Sequence, residues 1–473
     1  MESSASLARP VNYSIEADAL FVACICMGAV SVFMYPINHD VAWLLSVSDQ
    51  IRLGARHYVD VIDVSPPLIA WIGIPFAAAA DLLRLNIGDL FRVVVILAAA
   101  GSVVATARLL RAGSSLRLVV WLAAAPAAAY DFGQREHLAL LASLPYIATA
   151  MLRFQGTPPA RGVRLGVALP AAMGLLIKPH FLLVPMLVEG WLLLNKRPCK
   201  ATIIAFAGSL AVYGAAVALI APQYIAMAGM LAKIYAFNFL GISPWAFLHE
   251  FNFQLGCGCL LASLIARNAR PASASVLSCA ALGFALSAAT QAKGWSYHWY
   301  PFFAISLLAL GAAVSRLTAT GTLTTVVVLA NAALLAATPF LALRANPFLP
   351  AFRPLVEELG GGKIVVLSNT VRTIYPLVTL PGNSNASRLP VMQLLSASIL
   401  QHEHGTEKRL RATLVEDFVR NRPDIVIVEN HPREMPDDFD FLDYLSQDPA
   451  FGRELASLHP VRKIGRFTFY QRR

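Results

Sequence analysis

Apolar positions in this chain fall in long continuous runs rather than in the two- or three-to-four-residue periods of half-buried strands and helices. Ala19 to Tyr35, Val93 to Leu110, Ala201 to Ile220 and Leu323 to Leu341 approach or reach the roughly 17–25 residues that a helix needs to cross a bilayer. Such runs recur to about residue 342 and predict about eleven spans. These lie near residues 17–35, 90–110, 117–131, 138–153, 163–180, 181–195, 201–221, 246–266, 273–290, 299–315 and 320–342. The first run follows a segment whose one basic residue is Arg9 and precedes no small-residue cleavage site, so it is expected to stay as a helix. Near Asn346 the pattern changes. KIVVLSN, DIVIVEN and RFTFYQRR read as strands, and Thr406 to Arg420 reads as an amphipathic helix. The predicted fold is an all-α polytopic membrane domain over 1–345, with a small α/β domain over 346–473.

Charge orients these spans. Basic residues cluster in alternate loops: Arg108, Arg111 and Arg117; Arg153, Arg161 and Arg164; Lys196, Arg197 and Lys200; Arg267 and Arg270; and Arg316. The positive-inside rule makes those loops and the N-terminus cytoplasmic. The intervening loops then face outward, and they hold DFGQREH at 131–137, KPH at 178–180 and QAKGWSYHWY at 291–300. Pro66 to Ala80 breaks the parity if it spans. At about 15 residues, opening on Pro-Pro, it is read as an interfacial or re-entrant helix inside a long outer loop, 36–88. An odd number of spans places the C-terminal region outside, which in a bacterial inner membrane is the periplasm.

Composition narrows the class further. Hydrophobic residues make up 57% of the 473 and charged residues 14%, with a mean hydropathy of +0.59, which argues against a soluble enzyme. The net charge of +10 resides in short loops rather than on one basic face, so nucleic acid is not the expected partner. All six cysteines lie in or beside apolar segments, which implies neither a disulfide framework nor a zinc site. His402-Glu403-His404 lacks a third ligand at a metal spacing. No serine elbow, Walker or dinucleotide fingerprint is present.

The candidate chemistry lies in the outward loops. Asp40 stands where the first helix leaves the membrane, beside His39, and a carboxylate there can act as a general base or coordinate a cation near a phosphate. Asp60 and Asp63 follow in the same loop, and Asp131, Glu136 and His137 occupy the next outward loop. Arg135, Lys178 and Lys293 fall at outer helix ends close to His137, His180 and His298, an arrangement suited to an anion pocket. Trp295, Tyr297, Trp299 and Tyr300 suit an interfacial aromatic belt and equally a stacking surface for a sugar ring.

Residues 17–200 resemble the GT-C membrane glycosyltransferases, in particular the branch with the protein O-mannosyltransferases and the lipid A aminoarabinose transferase. The resemblance rests on His39-Asp40 after the first helix, Gly54 to Asp60, the Pro66 to Trp71 turn, and Asp131 or Glu136 at the outer end of the third span. It implies transfer of a sugar from a polyprenyl-phosphate donor to an envelope glycan, lipid or protein acceptor. It further implies Asp40 as the base, with His39 beside it and inversion at the anomeric carbon. Arg135, Lys178 and Lys293 are then the donor-phosphate candidates, and Asp60, Asp63, Asp131, Glu136, His137, His180, His298 and Trp295 the substrate-binding ones. Two departures stand out: the usual acidic pair is His-Asp, and Ser65 replaces the lysine that some relatives carry before the turn. Another cation must therefore meet the lipid phosphate. No cofactor is specified, and a divalent metal stays open. A secondary transporter and a noncatalytic polysaccharide-assembly protein are the competing readings; the first draws on Glu189 inside a span but finds no internal repeat.

Overall fold

The computed structural model describes residues 15–235, 239–243, 245–266, 274–432 and 434–473. Fourteen helices come first: α1 (Ile15–Met34), α2 (His39–Arg52), α3 (Leu68–Leu83), α4 (Ile87–Leu110), α5 (Ser114–Ala124), α6 (Arg135–Phe154), α7 (Arg161–Leu176), α8 (Leu183–Leu194), α9 (Lys200–Ile220), α10 (Gln223–Ile234), α11 (Phe251–Ile265), α12 (Ala274–Ala289), α13 (Ser296–Val314) and α14 (Thr320–Ala345). Among the described residues six of them, α1, α4, α6, α9, α13 and α14, are long and apolar enough to cross a membrane, and α3, α8, α11 and α12 are shorter apolar helices.

Several of the expected spans are interrupted for visible reasons. The run at 117–131 is helical only to Ala124; Pro126 then opens a 3-10 turn that kinks at Ala129, φ 48. A non-glycine residue held there costs about 1–3 kcal/mol, a strain typical of site-lining backbone. The run at 163–180 ends as α7 at Leu176, before Pro179 starts a second 3-10 turn. The segment at 66–80 is the sixteen-residue helix α3, which packs along α2. Helix α10 lies outside every predicted element. Arg267 and Arg270 lie outside the described residues.

Lipid offers little hydrophobic drive for helix association, so contact geometry decides the packing. A Cβ added at Gly174 of α7 would approach Ala142 of α6 to 2.5 Å, and one at Gly283 of α12 would come within 2.6 Å of the Val184 backbone in α8. Both glycines permit close crossings. At one end of the bundle Arg153 makes two 2.8 Å bonds to the Glu189 carboxylate, which also accepts from the Tyr146 hydroxyl at 3.0 Å.

After α14 come α15 (Phe348–Glu358), β1 (Gly362–Leu367), β2 (Asn383–Asn385), α16 (Gln393–Leu400), α17 (His404–Asn421), β3 (Ile425–Glu429), α18 (Phe441–Ser446), α19 (Pro449–Leu455), β4 (Leu458–Ile464) and β5 (Phe467–Arg472). The sheet order is β2-β1-β3-β5-β4; β1 is parallel to β2 and β3, and β5 is antiparallel to both of its neighbours. Strands covered on both faces read as continuous apolar runs, which explains IVVL and IVIV. Alternate residues face α16 and α17 through Val365, Leu367, Val426 and Val428, and face α15 through Ile364, Val366, Ile425 and Ile427.

The sheet does not stand apart from the bundle. Its second face shares a core with Trp43, Val47 and Ala70 of α2 and α3, and its first face shares one with Tyr58 and Ile62 of the first loop. The Ile62 amide donates to the Arg388 carbonyl at 3.0 Å, and the Trp43 ring meets Tyr375 edge-on at 5.3 Å. Loop 36–88 and the C-terminal layer thus form one roof over the end of the bundle at which α2 begins.

Candidate active site

Beneath that roof lies a cavity of about 420 Å³. Its wall is built first by the start of α2, where Asn38 caps the helix by accepting from the Asp40 amide at 2.9 Å. Asn38 is itself held by the Tyr130 carbonyl and by the Gln134 amide, both from the irregular segment between α5 and α6. Irregular backbone at membrane depth is tolerated where it lines a cavity, and this segment does so through Asp131.

The Asp40 carboxylate projects into the cavity. It accepts from Gln134 Nε2 at 3.1 Å and lies 3.7 Å from both Arg135 Nη2 and His39 Nε2. Burial alone would raise its pKa, but His39, Arg135 and the Gln134 bond outweigh that and hold it below the ordinary carboxylate value. Burial pulls His39 down to about 4, against the opposing pull of Asp40. At neutral pH the pair is therefore a carboxylate beside a neutral imidazole. His39 stacks on Tyr130, whose hydroxyl lies 3.1 Å from Nδ1.

Arg135 joins this carboxylate to Ser65. Its Nη1 donates to Ser65 Oγ at 2.7 Å, so a guanidinium stands beside the turn that Pro66 opens. Asp63 orients Ser65: fully buried, it accepts from Trp43 Nε1 at 3.2 Å and from the Ser65 amide at 3.1 Å.

Of the other residues singled out from sequence, Asp131, Trp295 and Tyr297 line the cavity with His39, Asp40 and Arg135. Glu136, Lys178 and His298 form a buried cluster adjoining it. Lys178 Nζ donates to Glu136 Oε1 at 2.5 Å and to Gln291 Oε1 at 2.9 Å, and His298 Nε2 lies 3.7 Å from the same Glu136 oxygen. Lys293 is buried against the Tyr235 carbonyl and the rings of Tyr235 and Phe239. His137 donates from Nε2 to the Ala124 carbonyl and accepts the Gly133 amide at Nδ1, bracing the irregular segment. His180 is half-buried against Phe181, away from the cavity lining. Asp60 pairs with Arg56 at 2.9 Å on the outside of the loop. The aromatic belt is not realised by Tyr297, Trp299 and Tyr300. All three are buried, and Trp299 packs on Phe247 and Phe253.

The C-terminal layer supplies lining residues that the sequence reading did not reach. Asn369, Thr370 and Arg372 follow β1, and Glu434 follows β3. Arg372 lies over the Tyr130 ring at 5.6 Å, and Asn369 donates to Glu434 at 3.3 Å. The available signal was positional: ligands of parallel sheets meet the carboxyl ends of strands, and NTVR after β1 and Glu434 after β3 sit there. Among the described residues no group of three or more His, Cys, Asp or Glu side chains is placed to hold a metal ion.

The helical bundle with its long first loop and C-terminal layer has the GT-C membrane fold. Among solved structures, ArnT from Cupriavidus metallidurans bound to undecaprenyl phosphate matches with a TM-score of 0.58 and 13% identity, over 96% of this chain and 97% of that one. A mutant of the arabinofuranosyltransferase AftD from Mycobacteria matches with a TM-score of 0.45 and 14% identity, over 97% of this chain and 42% of that one. Neither the models of known protein families nor the curated protein sequences match this chain.

Proposed function

We propose that this protein transfers a sugar from a polyprenyl-phosphate donor to an envelope glycan, lipid or protein acceptor, with Asp40 as general base. The observation that carries this reading is Asp40 and Arg135 side by side in one cavity, with Arg135 anchored on Ser65. The undecaprenyl phosphate in the ArnT structure supports the donor class.

In the proposed step Asp40 takes the proton of the acceptor hydroxyl, and that oxygen attacks the anomeric carbon as the bond to the phosphate oxygen breaks. The electron pair leaves on the phosphate, where Arg135 stabilises the developing charge with preorganised donors. Donor binding also tunes the base. With the cavity empty, Arg135 favours the ionised carboxylate and weakens it as a proton acceptor; a phosphate drawing the guanidinium away raises the carboxylate's affinity for a proton. Attack opposite the leaving phosphate inverts the anomeric centre. His39 lies beside the carboxylate, while Glu136, held by Lys178, adds a compensating negative charge near Arg135. The proposed setting is a bacterial inner membrane with about eleven spans and the roof in the periplasm, which places the cavity at the level where a lipid-linked sugar presents its headgroup.

The test is reconstitution of the full chain with a polyprenyl-phosphate sugar pool and endogenous envelope acceptors, following free polyprenyl phosphate by mass spectrometry. Release that depends on both protein and acceptor supports the proposal. Movement of a solute across the vesicle without release favours a carrier.

A further inference from the structure

A second cavity lies away from the roof. At the far end of α6, 18 residues from Arg135 and therefore about 27 Å along the helix axis, lies a cavity of about 550 Å³ lined by Arg153, Arg161, Arg164, Lys196, Arg197 and Lys200. These residues belong to two of the basic loops that the positive-inside pattern assigns to the cytoplasmic side. The proposed reaction uses none of them.

Charge at this cavity is unbalanced. Arg153 is neutralised by Glu189, but among the described residues Arg161, Arg164, Lys196, Arg197 and Lys200 form no ion pair. Arg164 Nε is buried without a hydrogen-bond partner. The first turns of α7 and α9 line the cavity as well, and neither has a side-chain cap, so two helix N-termini add positive potential to the five cations. Such a site needs an anion whose oxygens meet several donors at once. Beside it, α9 buries little of its surface, and Ile203, Ile204, Leu210 and Val212 are exposed along its length. A polar anion-binding head continuous with an exposed apolar helix face matches the two halves of a phospholipid.

We propose that this cavity is a binding site for the phosphate headgroup of an acidic phospholipid of the inner leaflet, with the acyl chains lying along α9. A basic pocket between helices on the cytoplasmic side recognises such headgroups by charge and by bidentate arginine donation. The lipid would tie α6, α7, α8 and α9 together at the end opposite the proposed chemistry.

The test uses native mass spectrometry of the full chain in detergent, titrated separately with phosphatidylglycerol, phosphatidylcholine and inorganic phosphate. The expected result is one phosphatidylglycerol retained at collision energies that strip phosphatidylcholine. Arg161→Gln/Arg164→Gln/Lys200→Gln should weaken that retention about tenfold or more. The single exposed change Lys200→Gln should weaken it measurably less, which keeps the test decisive if the triple variant folds poorly. Arg462→Gln/Lys463→Gln, on the outer strand β4, should leave it unchanged. Equal retention of both lipids, or equal loss in the β4 control, would overturn the proposal. Displacement of the lipid by millimolar inorganic phosphate would overturn it in favour of a free-anion site.

Discussion

Asp40 and Arg135 set the chemistry available at the cavity, and each makes a separate prediction. Asp40→Asn keeps the Gln134 contact and the shape of the wall but removes the proton acceptor, so turnover should fall about 10²–10⁴-fold with donor binding retained. Because its neighbours hold Asp40 below the ordinary carboxylate value and His39 titrates near 4, neither ionises between pH 5 and 7. The required carboxylate is present above its pKa and lost as pH falls through it. Asp40 and His39 should therefore put no break in the kcat/KM profile between pH 5 and 7; a break there would assign the essential carboxylate to Asp131, which burial pushes up to about 7 in the same cavity. Arg135→Gln should cost about 10²–10³-fold in kcat. Adding Ser65→Lys to that variant should restore part of the loss, because it returns a cation to the neighbourhood of the Arg135 guanidinium. Asp40 was readable from sequence because a carboxylate at the exit of a spanning helix is conspicuous. Arg135 was read from sequence together with Lys178 and Lys293 as one of three cations at outer helix ends, and of the three it is Arg135 that folding sets in the cavity lining. Arg372 and Asn369 were not readable: nothing local distinguishes a polar loop after a strand until folding sets it against Tyr130, more than 200 residues away.

At the level of elements, the apolar runs identified the bundle and the strand-like runs identified β1, β3 and β5. Several of the missed elements have a weak local pattern. Strand β4 carries exposed charge, including Arg462 and Lys463, as edge strands do to resist pairing with other chains. Strand β2 is three polar residues long, and α10 is too short to register as a span. Segment 117–131 passed for one helix because Pro126 to Asp131 is as apolar as a span, although proline and the Ala129 kink end the regular hydrogen bonding there. The Arg153–Glu189 pair joining α6 to α8 should respond as a buried ion pair does. Glu189→Gln leaves an uncompensated guanidinium and is expected to destabilise the protein by about 3–5 kcal/mol. Arg153→Met/Glu189→Leu should be close to neutral; thermal unfolding in one detergent checks both.

Over the whole molecule, polarity is divided between two ends: the roofed cavity with Asp40 and Arg135, and the basic cavity at the far end of α6. The proposed topology predicts opposite accessibility for residues on the two ends. In a background with the native cysteines replaced by serine, His404→Cys should react with an impermeant thiol reagent in intact cells, and Lys196→Cys only after permeabilisation. The reverse would invert the orientation. The roof itself joins segments that composition separates at residue 345, because the sheet buries one face on α2 and α3. The long first loop and the C-terminal layer are accordingly expected to act as one unit over the site. The central claim is tested most directly by measuring sugar transfer from a polyprenyl-phosphate donor to endogenous acceptors, comparing wild type with Asp40→Asn at matched folded protein in the membrane. The account predicts transfer by the wild type and its near-complete loss in the variant with donor still bound; equal transfer by both would contradict it.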